Sequence, residues 1–222
     1  MKKCVISLSG GLDSTTNMAI AHNLGQEIYP ITFSYGQRHS QELECAKKVA
    51  AHYGVEHRHK IVDVEFLHSI GGSSLTDLNM EVPESMDTSK IPTTYVPHRN
   101  LIFTSLAAAY GEVIGAKYIY LGVNTLDYSG YPDCRPEFID SLQQTINLSS
   151  KNFVETGEEI KIATPLLHMT KAEIITKGME LNAPYHLSIS CYKGTNCGVC
   201  DSCRLRLKGF AEAGYTDPIT YE

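Results

Sequence analysis

The sequence predicts a doubly wound α/β fold with a mainly parallel sheet. Short apolar segments alternate with helical segments along the first half of the chain, which is the pattern of strand–helix–strand units. The first strand runs directly into a glycine pair and a helix, and polar segments also follow two later strands, at 34–39 and 124–135. Ligands in such folds bind beyond the carboxyl ends of the strands, so we expect these segments to form one site.

The first half of the chain contains three predicted strands and two predicted helices. Residues 4–8 form an apolar strand, and a helix over 13–24 follows the glycine pair and ends at Gly25. The remaining elements are a strand at 28–35, a helix at 40–53 and a strand at 57–62. Residues 63–97 lack regular apolar spacing, and a loop of this length predicts a functional or mobile segment with at most short helical pieces.

The second half continues the alternation less regularly. We predict a helix at 100–114, a strand at 118–123, an irregular stretch at 124–136 and helices at 136–148 and 171–181. Thr170 is the expected N-cap of the last helix because Glu173 follows three residues later, as in a capping box.

Length and composition favour one soluble domain. The 222 residues are 42% hydrophobic and 20% charged, so we expect a single domain over 1–222. No apolar run approaches the ~18 residues needed to cross a bilayer, and the N-terminus lacks the apolar stretch of a secretory signal. We therefore expect a cytoplasmic protein with no membrane partner.

The net charge of the chain indicates which kinds of partner it can bind. The net charge of −6 disfavours nucleic acid, whose protein partners usually present a basic face. One compact basic cluster is present, and we interpret it as a small solvated helix face: Arg204, Arg206 and Lys208.

Four of the seven cysteines crowd into a short C-terminal segment and predict a metal site. Cys191, Cys197, Cys200 and Cys203 are separated by five, two and two residues. Four thiolates suit tetrahedral zinc with no open position, hence a structural zinc-binding segment at 186–213. An iron–sulfur cluster remains an alternative, and a redox pair at the last two cysteines is a weaker one. Cys4 and Cys45 are expected to be small buried apolar residues.

A phosphate-binding loop is predicted where the first strand meets its helix. Residues 9–15 read Ser-Gly-Gly-Leu-Asp-Ser-Thr. The glycines allow close backbone approach to an anion, and the helix start offers unpaired N–H groups and the positive end of its dipole. No lysine stands where a Walker A loop requires one. The alternative is a glycine-rich turn without a ligand.

This loop resembles the Ser-Gly-Gly-x-Asp-Ser signature of PP-loop ATP pyrophosphatases. The resemblance implies an adenine-nucleotide α-hydrolase-like fold and a loop that holds the β- and γ-phosphates of ATP, leaving the α-phosphate open to attack. Asp13 is a candidate to help hold magnesium. The implied nucleotide contacts are Leu8, Ser9, Gly10, Gly11, Leu12, Asp13, Ser14, Thr15, Thr16, Asn17 and Met18.

Further segments resemble the 7-cyano-7-deazaguanine synthase family of the queuosine pathway. The matching stretches run along the whole chain: 9–16, 35–39, 96–100, 122–124, 127–138, 164–166 and the cysteine cluster. The resemblance implies an ATP-dependent ligase that converts 7-carboxy-7-deazaguanine and ammonia to the nitrile through an adenylated acid and an adenylated amide.

The resemblance also implies roles for individual residues. Lys171 and Arg99 would approach the phosphates as cations and act in catalysis with Asp13. The implied substrate contacts are Asp127 or Asp133 on the amino edge of the base, Tyr128 and Tyr131 against its ring, Arg135 on its carboxylate, and Arg38 and His39 in the cavity wall. The alternatives are ordinary loop packing for the 127–135 residues, a solvated lysine at 171 and a structural ion pair for Arg99.

Two rival functions remain. A PP-loop enzyme that modifies tRNA would need an RNA-binding surface, which the acidic balance disfavours. A non-catalytic, zinc-stabilised binding module would show no ATP turnover. We expect a homodimer by default and free ammonium as the nitrogen source.

Overall fold

The computed structural model describes residues 1–36, 41–77, 79–81, 90–126 and 130–222. Within these ranges five strands form one parallel sheet: β1 (Lys3–Ser7), β2 (Glu27–Ser34), β3 (Lys60–Asp63), β4 (Tyr118–Tyr120) and β5 (Lys161–Ala163). The strand order is β3-β2-β1-β4-β5. The chain therefore winds outward from β1 in both directions, which confirms the predicted doubly wound sheet and places a switch point between β1 and β4.

Eight α-helices connect and cover the strands in the described residues. They are α1 (Leu12–Asn23), α2 (Gln41–His52), α3 (Phe66–Ser69), α4 (Arg99–Ile114), α5 (Pro136–Ser149), α6 (Lys151–Thr156), α7 (Lys171–Glu180) and α8 (Asp201–Glu212). None of the helices in the described part of the chain is long and apolar enough to cross a membrane.

Side chains of β1 alternate between the two faces of the sheet, as the pleat requires. Val5 packs with residues of β2, α4 and α5 on one face. Cys4 and Ile6 pack on the other face with buried residues of α1 and α2, including Met18 and Val49. All five side chains are 0% exposed, so β1 is the centre of both cores and holds the loop that follows it in a fixed place.

Most predicted elements are confirmed within a few residues, and the differences have local causes. The strand expected at 57–62 begins with a 3₁₀ turn at Glu56–Arg58, so β3 starts only at Lys60. The strand expected at 118–123 ends at Tyr120, because the next residues leave the sheet to reach the cavity described below. β5 and α6 were not predicted, and α8 was predicted only as a helix face at Arg204, Arg206 and Lys208.

The interpretation of the basic cluster as a solvated face is wrong for Arg206. Its side chain is 1% exposed and forms a two-pronged ion pair with Asp217, with Nε–Oδ2 and Nη2–Oδ1 distances of 2.7 and 2.9 Å. Tyr221 also donates to Asp217, at 2.6 Å. A buried guanidinium requires such partners, and the network fastens the C-terminal tail to α8.

Candidate active site

A cavity of about 300 Å³ lies at the carboxyl end of the sheet. Its wall combines the residues after β1, the end of β2, the first turns of α4, the residues after β4 and a C-terminal segment. These parts are 7–9, 11–14, 32–33, 99–100, 103–104, 121–124 and 189–192. The cavity therefore occupies the position at which doubly wound folds bind ligands.

Gly10 fixes the path of the predicted phosphate loop. Its φ is +80°, and a Cβ at this position would lie 2.5 Å from the backbone oxygen of Glu42 and 2.7 Å from the backbone nitrogen of Ala46. Only glycine tolerates both the backbone angle and the contact. The loop is thus pressed against the first turns of α2.

The hydroxyls of the loop form a local network. Ser14 Oγ accepts from the backbone N–H of Ser9 at 3.2 Å and lies 3.1 Å from Ser9 Oγ. Ser9 Oγ in turn accepts from the N–H of Gly11 at 3.2 Å. Gly11 is the N-cap of α1 and has no side chain to satisfy the first N–H groups of the helix. Those donors and the positive end of the helix dipole face the cavity side of the loop and suit an anion.

The predicted nucleotide contacts divide into two groups. Those up to Ser14, apart from Gly10, line the cavity. Thr15, Thr16, Asn17 and Met18 are 0% exposed inside α1. The Thr15 hydroxyl donates to Gly11 O at 2.8 Å, and the Thr16 hydroxyl lies 2.7 Å from Tyr185 Oη. The second group therefore supports the loop from inside the protein.

Lys171 and Asp13 meet at the cavity although 158 residues separate them. Lys171 Nζ lies 2.7 Å from Asp13 Oδ1, and the two side chains are 14% and 28% exposed. Both line the cavity wall. Lys171 is therefore not a solvated lysine; it is a cation held beside the loop, where it can meet a phosphate.

Two sets of hydrogen bonds position Lys171 beside Asp13. Asn124, after β4, donates its side-chain N–H groups to Leu166 O at 2.8 Å and Met169 O at 2.6 Å, which fastens the segment before α7. Thr170 then caps α7 in the predicted capping box with Glu173. Lys171 is the first residue of α7, so the cap sets its direction.

Arg99 is the first residue of α4 and lines the same cavity. Its guanidinium carbon lies 6.0 Å from the centre of the Tyr35 ring, a cation–π distance. Burial raises the pKa of Tyr35 to about 12, so the phenol stays neutral at physiological pH. Arg99 therefore presents a positive charge to the same cavity that the loop lines.

The predicted substrate residues of the 130–135 segment lie in different settings. Tyr131 lines the cavity and its hydroxyl lies 2.7 Å from Thr94 Oγ1. Asp133 is 5% exposed and accepts from the N–H of Asn100 at 3.0 Å, so it anchors the start of α4, and its other carboxyl oxygen has no partner among the described residues. Arg135 is exposed at the N-cap of α5.

Several predicted residues lie outside the described part of the chain. These are Arg38, His39, Asp127 and Tyr128. Sequence reasoning also missed a cavity residue: Glu42, in the first turn of α2, faces the cavity that Arg99 and Lys171 line. Its helix has an ordinary amphipathic pattern, so no local signal marks it.

The four clustered cysteines converge as their spacing predicts. One sulfur atom from each of Cys191, Cys197, Cys200 and Cys203 lies within 4.8 Å of all the others. Zinc–sulfur bonds of ≈ 2.3 Å in a tetrahedron put sulfurs about 3.8 Å apart, so the group fits a four-coordinate metal. Cys191 Sγ and Cys197 Sγ are 3.6 Å apart.

The surroundings favour thiolates at Cys191 and Cys200, whereas the hydrogen bond that Cys203 donates to Cys200 raises the pKa of the Cys203 thiol. Cys191 Sγ accepts from the backbone N–H groups of Lys193 and Cys197, at 3.3 and 3.4 Å. A hydrogen bond from the Cys203 thiol lowers the pKa of Cys200. Three of the four cysteines are at most 2% exposed, which closes the site to solvent and suits a structural metal.

The cysteine segment and the phosphate loop touch. Ile189 donates its backbone N–H to Gly10 O at 2.9 Å, and Cys191 and Tyr192 line the cavity. The segment that carries the first metal ligand is therefore also part of the cavity wall.

Comparison with known proteins identifies the family. A family model described as "Queuosine biosynthesis protein QueC" matches residues 3–214. The chain belongs to the QueC family. Curated members share half or more of its sequence: "7-cyano-7-deazaguanine synthase" of Oceanobacillus iheyensis is 55% identical, with 99% of this chain and 98% of that protein aligned. The protein of the same name from Acetivibrio thermocellus is 53% identical, with 100% and 98% aligned.

Solved structures similar to this QueC family member agree on the fold. The match to NMN synthetase from Francisella tularensis covers 97% of this chain and 78% of that protein, with a TM-score of 0.55 and 15% identity. The match to a predicted subunit of tRNA methyltransferase from Methanocaldococcus jannaschii covers 81% of this chain and 75% of that protein, with a TM-score of 0.52 and 18% identity. These likenesses confirm the predicted adenine-nucleotide α-hydrolase-like fold and, at such low identity, nothing beyond it.

Proposed function

We propose that the protein converts 7-carboxy-7-deazaguanine, ATP and ammonia to 7-cyano-7-deazaguanine. The supporting observation is the meeting of the phosphate loop, Lys171 and Arg99 in one cavity of a QueC family member. The activity is that of a ligase that forms a carbon–nitrogen bond. A carboxylate is a poor electrophile, and two cations in the same cavity as an anion-binding loop provide what its activation by ATP requires.

The first half of the reaction makes the amide. A carboxylate oxygen of the acid attacks the α-phosphorus of ATP, the bond to the bridging oxygen breaks, and pyrophosphate leaves with the electron pair. Ammonia then attacks the carbonyl carbon of the acyl adenylate and AMP leaves. Lys171 and Arg99 neutralise the growing phosphate charge, and the N–H groups after Gly10 hold the terminal phosphates.

The second half makes the nitrile. The amide oxygen attacks the α-phosphorus of a second ATP, and pyrophosphate leaves with the electron pair of the broken phosphorus–oxygen bond. The two N–H protons are then removed, and AMP leaves with that oxygen and the carbon–oxygen electron pair as the carbon–nitrogen triple bond forms. Tyr131 lies in the cavity wall and suits stacking on the deazapurine ring. The sequence-derived roles of Asp127, Tyr128, Asp133, Arg135 and Arg38 as substrate contacts remain part of the proposal.

The four cysteines are proposed to hold one structural zinc ion, and Asp13 to contribute to the magnesium site of the bound nucleotide. Zinc would supply cross-links between residues 191 and 203, fixing the cavity wall at Ile189–Tyr192. We further propose a cytoplasmic homodimer that uses free ammonium and binds no nucleic acid, in keeping with a net charge of −6.

The direct test is a product analysis. Purified protein is incubated with ATP, magnesium, ammonium and 7-carboxy-7-deazaguanine, and products are followed by mass spectrometry. The expected result is the nitrile together with AMP and pyrophosphate, with the amide as an intermediate. ADP formation that does not depend on the acid, without nitrile, contradicts the proposal.

A further inference from the structure

The proposed reaction requires a proton acceptor, and none of the roles assigned to Lys171, Arg99 and Asp13 supplies one. Attack by ammonia leaves extra protons on nitrogen, and formation of the nitrile removes the last ones. A side chain suited to this task must reach the cavity, be free of a tight ion pair and change its protonation near neutral pH.

The described residues of the cavity wall include two carboxylates, Asp13 and Glu42. Asp13 is engaged by Lys171 at 2.7 Å. The thiol of Cys134 also lines the cavity, but burial raises its pKa to about 12, which keeps it protonated. No histidine stands in the described part of the wall. Glu42 is the group that remains.

The position of Glu42 is built into the fold. Its own backbone oxygen packs against Gly10, so the start of α2 cannot move without moving the phosphate loop. The side chain is partly buried, and Arg99 from α4 is the charged group that acts on it most directly among the described residues. The negative charge of Glu42 in turn contributes to raising the pKa of Tyr35 and of Cys45. Arg38 and His39 precede it in the sequence outside the described residues.

Burial raises the pKa of Glu42 to about 7, although the positive charge of Arg99 opposes the shift. A carboxyl with this pKa exchanges protons readily at physiological pH, unlike an exposed glutamate.

We propose that Glu42 accepts the protons that the reacting nitrogen loses, which rests on the function proposed above. In the first step the ammonia lone pair forms the carbon–nitrogen bond, AMP leaves with the carbon–oxygen pair, and one N–H proton passes to the Glu42 carboxylate. In the second half the two N–H protons of the adenylated amide pass to Glu42 one after the other, and Glu42 returns each proton to solvent before it accepts the next. The N–H electrons complete the triple bond, and AMP again leaves with the carbon–oxygen pair.

The test separates adenylation from proton removal in Glu42→Gln. Acid-dependent exchange of pyrophosphate into ATP, measured without ammonia, needs no base and should stay within about threefold of the wild type. Amide formation from the acid, and nitrile formation from added amide, should each fall about 10²-fold or more. Hydroxylamine, a nucleophile whose protonated form is far more acidic than ammonium, should restore most of the capture of the acyl adenylate. Glu44→Gln, an exposed change in the same helix, is the matched control.

The pH profile gives an independent measurement. The base form of Glu42 is present above its pKa, so the wild-type rate of amide formation at constant free ammonia should rise with pH through about 7 and then level off. That rise should be missing in Glu42→Gln. If circular dichroism shows the variant unfolded, the wild-type profile decides, and a flat profile overturns the proposal.

Two further outcomes contradict the role of Glu42. One is a Glu42→Gln variant that makes amide at the wild-type rate. The other is a folded variant in which pyrophosphate exchange falls as far as amide formation, since Glu42 would then act by positioning Arg99. A wild-type protein that makes no nitrile contradicts the proposed function itself.

Discussion

The phosphate loop and the cysteine cluster lie side by side but are held in place in different ways. The four sulfurs come from thirteen consecutive residues and lie within 4.8 Å of one another, and three of the four cysteines are almost fully buried. The loop leaves the first N–H groups of α1 without a side-chain cap. It depends on partners far along the chain: Glu42 behind Gly10, Lys171 beside Asp13, and Ile189 on the Gly10 carbonyl.

The difference follows from what each site must do. A structural metal site gains stability by closing, because every ligand position is filled from within the protein. A substrate site must keep donors and charges unsatisfied until the ligand arrives, so distant elements have to hold it in shape. Loss of one cysteine should therefore abolish metal binding and local folding of the whole cluster. Loss of one residue that supports the loop should lower catalytic activity only in part.

The largest effect is expected from breaking the cluster. With zinc bound at the cluster as proposed, Cys200→Ser should remove the metal and unfold the segment around it, because apparent binding energies of structural zinc, about 10 kcal/mol or more, equal the whole stability of an ordinary domain. Metal content by mass spectrometry and limited proteolysis between residues 186 and 213 measure the change.

Cys45→Ser is the matched control for that experiment. Cys45 packs against the cluster but is not one of the four ligands. This variant should keep one metal ion per chain. A Cys200→Ser protein that is stable, metal-free and active would show that the cluster is not structural.

A smaller and mainly catalytic effect is expected at the loop. Lys171→Met removes the cation beside Asp13 and should lower kcat/KM for ATP about 10²–10³-fold, as the loss of one charge-stabilising group does. Because both side chains are partly exposed and their attraction is screened by water, the free energy of unfolding should change by only about 1 kcal/mol. Acid-dependent AMP formation and urea unfolding measure the two quantities.

Lys177→Met provides the comparison on the same helix. Lys177 forms an exposed pair with Glu180 at 3.6 Å, away from the cavity wall. It should leave both activity and stability nearly unchanged. If the two variants lose activity equally, Lys171 has no special role at the phosphates.

The contrast also explains which features the sequence revealed. Gly10, Gly11 and the four cysteines carry local signals, because a sharp turn and a four-ligand metal site depend on residue spacing within a few positions. Four of the five parallel strands follow largely from short apolar runs, whereas β5 reads Lys-Ile-Ala and forms no such run.

Other parts of the site depend on tertiary contacts. Glu42 has the pattern of any polar residue in an amphipathic helix, and only the packing of α2 on Gly10 brings it to the cavity. Arg206 was interpreted as solvated because its partner, Asp217, belongs to a tail whose return to α8 no local pattern predicts. The ion pair of Lys171 with Asp13 was likewise not predicted, although Lys171 was assigned to the phosphates by family resemblance.

The smallest expected effect tests whether distant support of the loop matters for catalysis as well as for stability. Thr170→Ala removes the cap of α7 and should lower the free energy of unfolding by about 1 kcal/mol. Because Lys171 is the next residue, activity should also fall, by about tenfold or less, as its ammonium loses its fixed direction. Thr170→Ser should restore both quantities, since serine supplies the same hydroxyl.

Ser150→Ala is the control that separates the two effects. Ser150 caps α6, whose residues lie outside the cavity wall, and its loss should cost a similar amount of stability. Equal destabilisation with a drop in activity only in Thr170→Ala would mean that the cap acts by aiming Lys171. If both variants lost activity in proportion to stability, the loop would depend on the general stability of the domain, and the contrast with the self-contained cysteine cluster would disappear.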